Sequence, residues 1–339
     1  MTHLIRTIDA HAGGQTLRLI VDGARSPSGT TLALRADWLR RHADHIRKAV
    51  VLEPRGHLDM VAAQFVDPVA PGAHAGVIFM DGDGYRPMSG HGIIAATTIA
   101  LERELFFARD QVMPDVRVTF DTPAGTVHAR AHVVAGPDRL RVDSVRFTNV
   151  PAFVHTPGHP VRVGTRALRV DVAFGGLFYA IADTEAIGIP LTRHRLPELR
   201  RLAIDLLQAV NDSLRVEHPA MRRVVVGGVV FTGPPQDPEA HLRTVAVSAR
   251  GGVNWSPSGT ASSAVMSVLD AMQLLPEGSA FVSEGLAGSI LRGQIAGRTV
   301  VGDYPALVTE VQGSAWITGE HTFCLDPDDP FSEGLSPGG

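Results

Sequence analysis

Short apolar runs closed by glycine, proline or aspartate recur along the chain, and they predict strands at LRLIVDG (17–23), KAVVLEP (48–54), MVAAQFV (60–66), AGVIFMDG (75–82), VRVTFDTP (116–123) and TVHARAHVV (126–134). The pattern resumes at LRVDVAFGG (168–176), LFYAIAD (177–183), RRVVVGGVVFTG (222–233), RTVAVSA (243–249) and ALVTEVQGSAWITG (306–319). Helical spacing of apolar positions is confined to four stretches: 31–48, 92–106, 197–212 and 261–275. Many strands and few helices predict an α+β protein rather than a doubly wound sheet.

Length and composition narrow this picture. A chain of 339 residues favours two domains, and 44% hydrophobic residues suffice for two cores. A net charge of −4, with scattered arginines and acids, offers no basic face and argues against a nucleic-acid partner. The single cysteine, Cys324, rules out an internal disulfide and a cysteine-built metal cluster. No apolar run reaches the roughly 18 residues of a membrane span, and MTHLIRTIDAHAGG lacks a signal-peptide core. A cytoplasmic protein without a membrane partner is the expectation, and the tail 331–339 reads as disordered.

Two of the apolar helices share an entrance. Pro87-Met88-Ser89-Gly90-His91-Gly92 precedes one and Pro257-Ser258-Gly259-Thr260-Ala261 the other, both fitting S-G-[HT]-[GA]-x-x-A, with the serines 169 positions apart. That spacing, half the chain, is what two homologous domains would produce. A helix N-terminus presents unpaired N–H groups and a partial positive charge, and small residues there admit an anion. Two such turns could hold one carboxylate and aim Ser89 and Ser258 at opposite sides of it, the geometry for taking a proton on one side and delivering one on the other. Plain N-capping by the two serines is the alternative. The serine-hydrolase elbow is excluded, because Pro87 stands where G-x-S-x-G needs glycine. Asp81 and Asp83 in MDGDG lack the spacing of a calcium loop and read as a turn.

These stretches resemble the proline racemase superfamily along nearly the whole chain. IDAHAGGQTLRLIVDG (8–23), EPRGHLDM (53–60), RPMSGHG (86–92), DVAFGGLFYA (171–180), NWSPSGTASSA (254–264) and GSAWITGEHTFCLDPDDPF (313–331) follow its motifs in order. The resemblance implies two pseudo-symmetric domains, 1–124 plus 315–330 and 125–314. Each is a curved, mostly antiparallel sheet or barrel around a central helix, diaminopimelate epimerase-like, with the active site in the interdomain cleft. It implies a small imino-acid substrate, no metal and no organic cofactor, and leaves monomer and homodimer both open. The site residues it implies are Ser89, Ser258 and His91 for catalysis, with Gly90, Gly92, Gly259, Thr260, Asn254, Trp255 and His57 binding substrate; bonding of its own loop is the other reading of His57.

The chain departs from the family pattern where the chemistry occurs. Racemases and epimerases of the family carry a cysteine in each turn, where this chain has Ser89 and Ser258. A serine hydroxyl is far less acidic than a thiol and needs a neighbouring base. Dehydratase-type relatives carry cysteine or serine in the first turn and commonly threonine in the second, so the pattern leans towards elimination, trans-3-hydroxy-L-proline to pyrroline-2-carboxylate. Racemisation or 2-epimerisation of an imino acid, and binding without catalysis, are the alternatives. Asn254 and Trp255 replace the family's usual aspartate and arginine, and Gln15 stands where glutamate is frequent, which points to a less cationic or differently placed substrate.

Overall fold

A computed structural model describes residues 2–106, 111–136, 140–221 and 224–335 of the chain. The chain divides into two compact units, Met1–Phe147 with Gly313–Gly339, and Thr148–Gln312.

The first unit contains β1 (His3–Ala12), β2 (Gln15–Asp22), α1 (Leu32–His42), α2 (Asp44–Val51), β3 (Val61–Val66), β4 (Ala75–Asp81), β5 (Gly84–Arg86), α3 (Gly90–Glu102), β6 (Gln111–Val112), β7 (Asp115–Thr122), β8 (Gly125–Ala135) and β9 (Leu140–Thr148). The second contains β10 (Phe153–Val163), β11 (Arg166–Phe174), β12 (Phe178–Asp183), α4 (Thr184–Ile187), α5 (Leu196–Ser213), β13 (Val226–Gly233), β14 (Leu242–Ser248), α6 (Gly259–Ala271), β15 (Ala280–Glu284), β16 (Ile290–Val301) and β17 (Tyr304–Gly313). The last strand, β18 (Ala315–Leu325), returns to the first unit and pairs with β1.

Strand order in the first unit runs β18-β1-β2-β3-β4-β7-β8, with neighbours successively antiparallel, antiparallel, parallel, antiparallel, parallel and antiparallel. In the second unit the order β10-β11-β12-β13-β14-β15-β16 repeats that sequence of directions step for step, and β17 adds a further antiparallel strand. A parallel pair demands a crossover, and each unit puts helices there. α1 and α2 join β2 to β3, as α4 and α5 join β12 to β13. α3 lies between β4 and β7, as α6 lies between β14 and β15. The two serine turns thus occupy the same step of a repeated topology.

Both central helices are buried over most of their length because strands surround them. α3 packs on β1, β2 and β3 and also on β18 and β8, the two ends of its sheet, so the sheet curls about it. Every residue from Gly90 to Ala100 is buried. α6 packs on β10, β11, β12 and β16, and is buried from Gly259 to Val268. On the other face of the first sheet, α1 and α2 cover Ile5, Ile20, Ile78 and Met80 with Leu39, Ile46 and Val50. β4, covered on both faces, is buried throughout. The protein is therefore an α+β molecule of two units with similar topology.

Several sequence expectations are corrected here. The single helix expected over 31–48 is two, because Ala43 leaves the helical region at φ −144°, ψ 19°. The strand expected at 48–54 is the end of α2: Ile46, Ala49, Val50 and Val51 bury one helical stripe on the sheet, and that packing overrides their β preference. The run 306–319 is interrupted at Ser314 and supplies two strands, β17 and β18. The boundary expected at 124 falls within the β7–β8 hairpin, whose ladder keeps 125–135 in the first unit. The tail expected to be disordered is ordered as far as Leu335, where the Leu335 N–H donates to the Glu53 carbonyl and Arg55 donates to the carbonyls of Phe331 and Ser332; residues 336–339 lie outside the described set. In the 222–233 run, Arg222 and Arg223 also lie outside it. No helix of the described residues is long and apolar enough to cross a membrane.

Candidate active site

Ser89 caps α3 from extended backbone, φ −144° and ψ 113°, and its Oγ accepts from the Gly92 N–H at 3.3 Å. The same Oγ lies 3.4 Å from Nε2 of His91. Gly92 makes the turn possible, since a Cβ there would sit 2.4 Å from the Phe79 ring and 2.9 Å from Ser89 Oγ. His91 is buried, its Nδ1 has no hydrogen-bond partner among the described residues, and burial together with the Arg86 charge pushes its pKa down to about 3. The imidazole is therefore neutral at physiological pH, with one of its two ring nitrogens able to take a proton.

That depression has a thermodynamic consequence. Between pH 6.5 and about 3 the unfolded chain protonates this histidine and the folded chain does not, so stability is lost as pH falls through that window. Compared with a His91→Gln variant, the wild type should lose stability more steeply, by roughly 1.4 kcal/mol per pH unit. Urea unfolding at successive pH values measures this; parallel curves for the two proteins would contradict it.

The second turn is built differently. Ser258 caps α6, and its Oγ accepts from the Ala261 N–H at 3.4 Å. Thr260 Oγ1 lies 3.0 Å from Ser258 Oγ and 2.7 Å from the phenol oxygen of Tyr179 on β12. All three hydroxyls are buried, so the second serine ends a hydroxyl chain where the first abuts an imidazole. A buried polar hub holds the turn: Ser263 Oγ donates to the Gly259 carbonyl at 2.9 Å and accepts from Asn149 Nδ2 and from Thr309 Oγ1, each at 2.8 Å. Asn149 Nδ2 also donates to the Gly175 carbonyl at 2.9 Å. A Cβ at Gly175 would lie 2.2 Å from the Thr260 carbonyl, so the FGG segment is glycine to let a strand end touch the first turn of α6. The hydroxyls of Ser256 and Ser262, beside this turn in sequence, are buried and have no hydrogen-bond partner among the described residues.

The remaining expected site residues have mixed placements. Gly90 and Gly259 open their helices and are buried. Asn254 is half-buried and its N–H donates to the Ala246 carbonyl, while the Trp255 carbonyl accepts from Ala287. His57 is exposed, its Nδ1 accepting the Asp59 N–H of its own loop. Gln15 is buried and its amide donates to the Asp59 carbonyl at 2.8 Å. A glutamate carboxylate could not donate there, which gives this amide a structural reason independent of substrate charge. Asp81 Oδ1 accepts the N–H groups of Asp83 and Gly84, a turn as expected. Tyr179, Asn149, Ser263 and Thr309 were missed by the sequence reading. Their hydroxyl and amide groups sit inside apolar strand and helix patterns, and only the contact geometry distinguishes them.

The proline racemase pattern matches residues 7–336. The chain belongs to the proline racemase family. Among the family's members, a proline racemase of Clostridioides difficile is 35% identical over 98% of this chain and 97% of its own length. A trans-3-hydroxy-L-proline dehydratase of Bacillus cereus is 34% identical over 99% of this chain and 98% of its own. The crystal structure of a hydroxyproline epimerase from Agrobacterium vitis, with bound trans-4-hydroxy-L-proline, superposes with a TM-score of 0.90 at 28% identity, covering 98% of this chain and 94% of that one. The family is thus one of enzymes that racemise, epimerise or dehydrate imino acids.

Proposed function

We propose that this chain is a cofactor-independent dehydratase of a 3-hydroxylated proline, converting trans-3-hydroxy-L-proline to pyrroline-2-carboxylate and water. The observation that carries the reading is the unlike chemistry of the two turns: Ser89 abuts a neutral imidazole, and Ser258 abuts the Thr260 hydroxyl, which in turn meets the Tyr179 phenol. Exchange of a Cα proton from both faces needs a base on each side; elimination needs one base for the Cα proton and an acid for the departing hydroxyl.

In this reading Ser89 takes the Cα proton as its own passes to His91 Nε2. An imidazole with its pKa near 3 is a weak base by itself. The carboxylate of a bound imino acid would raise that pKa by charge attraction, so the base gains strength when substrate is present. The Cα–H electron pair becomes the Cα–Cβ double bond, the Cβ–O bond breaks, and the departing oxygen takes a proton from Ser258. The cyclic enamine then tautomerises to the imine. N–H groups of the helix turns at Gly90, His91, Gly259 and Thr260 bind the carboxylate and stabilise charge that builds up on it.

Chiral chromatography of incubations with trans-3-hydroxy-L-proline, trans-4-hydroxy-L-proline and L-proline tests the assignment. Consumption of the first to pyrroline-2-carboxylate, with the other two returned unchanged, is expected. Conversion of either of the others to its Cα epimer would instead favour the epimerase reading.

A further inference from the structure

We propose that Tyr179 is the proton source for the departing hydroxyl, passing its proton through Thr260 to Ser258; this rests on the elimination reading above. The phenol oxygen of Tyr179 lies 2.7 Å from Thr260 Oγ1, which lies 3.0 Å from Ser258 Oγ. Tyr179, Thr260 and Ser258 are 4%, 2% and 4% exposed, so protein walls off the chain of hydroxyls along its length.

Such a chain can point either way, and the chemistry of its ends chooses. If Ser258 donates inward, its oxygen faces the ligand as an acceptor, and a proton taken from substrate must finally rest on the phenol. A phenol gives a proton far more readily than it accepts a second one. If Tyr179 donates to Thr260 and Thr260 to Ser258, the Ser258 O–H is free to face the ligand as a donor. The Ala261 N–H also donates to Ser258 Oγ, and in this polarity it and Thr260 together fill that oxygen's two acceptor sites. Of the three hydroxyls the phenol is by type the most acidic, so it is the group able to supply a proton. The step balances. The Cβ–O electron pair goes to the leaving oxygen, which takes the Ser258 proton; Ser258 is refilled from Thr260 and Thr260 from Tyr179. A phenolate remains until water returns the proton along the same path after product leaves. Tyr179 is thereby a positioning and proton-supplying residue acting through two others, and it gives the second turn an acid without a thiol.

The test compares two leaving groups in the full-length protein. Elimination of hydroxide from trans-3-hydroxy-L-proline needs an acid, whereas elimination of fluoride from trans-3-fluoro-L-proline needs far less help. Tyr179→Phe and Thr260→Val should each lower kcat for the hydroxyl substrate about 100-fold, within the usual range for loss of general acid catalysis. The fluoro substrate should slow only a few-fold, and Thr260→Ser should restore most of what Thr260→Val loses. Equal losses on both substrates would assign Tyr179 a structural role and overturn the proposal. Full activity of Tyr179→Phe on the hydroxyl substrate would also overturn it, while leaving the dehydratase assignment intact. A wild-type protein that releases neither water nor fluoride would remove the elimination reading and this inference with it.

Discussion

Ser89→Ala is expected to abolish turnover, lowering kcat by about 1,000-fold or more while the protein stays folded. The substitution takes away the oxygen proposed to receive the Cα proton and leaves His91 Nε2 without its 3.4 Å neighbour. Loss of a positioned acid or base typically costs a factor of 100 to 10,000, roughly 3–5 kcal/mol of transition-state stabilisation. The structural cost is smaller. Ser89 also caps α3 through the Gly92 N–H, and losing a serine cap costs about 1 kcal/mol, within the reserve of a helix buried on every side. Circular dichroism and initial rates separate the two effects. An inactive but folded variant fits the account, and a variant within about tenfold of wild type would mean that Ser89 is only a cap.

Arg18→Leu has the largest expected effect on stability. Arg18 is buried on β2, and its guanidinium grips Asp9 through Nε and Nη2 while Nη1 donates to the carbonyls of Val50 and Arg55. The Phe323 ring of β18 lies 4.5 Å beneath it. One side chain therefore joins β1, β18, the end of α2 and the loop that carries His57. Leucine would leave the Asp9 carboxylate with the Thr7 hydroxyl at 3.2 Å and His321 at 3.5 Å but without its buried cation, and would strand two carbonyls. Breaking a buried ion pair from one side typically costs about 3–5 kcal/mol. Urea unfolding measures it, and a loss below about 1 kcal/mol would contradict this role. The aspartate of the opening motif, Asp9, thus spends its charge on the scaffold.

The strand-rich α+β character and the two serine-capped helices were legible in the sequence because both leave local signals: apolar runs closed by glycine and proline, and a Ser-Gly entrance before an apolar stretch. The duplication was visible only as a seven-residue echo, and the matching strand directions of the two units extend it over the whole topology. What stayed hidden depends on contacts distant in sequence. β10 was missed because Pro157, Gly158 and Pro160 interrupt its pattern, and bulges at Val154/Thr156 and Thr156/His159 absorb them. α2 was misread because a Lys-Ala-Val-Val run fits a strand until its packing partners are known. At the site, Ser89 and His91 stand two residues apart and could be read together. Tyr179 reaches Thr260 across 81 positions, and no spacing announces that contact.

The central claim is that the protein removes a proton from one side of Cα and water from Cβ, rather than exchanging protons at both faces. Proton NMR of wild-type protein with trans-3-hydroxy-L-proline in heavy water tests it most directly. The account predicts loss of the ring signals of the substrate and growth of pyrroline-2-carboxylate, with no accumulation of the Cα epimer. Deuterium at Cα of an accumulating epimer, with the 3-hydroxyl retained, would contradict it and show that two serine turns can run a two-base epimerase.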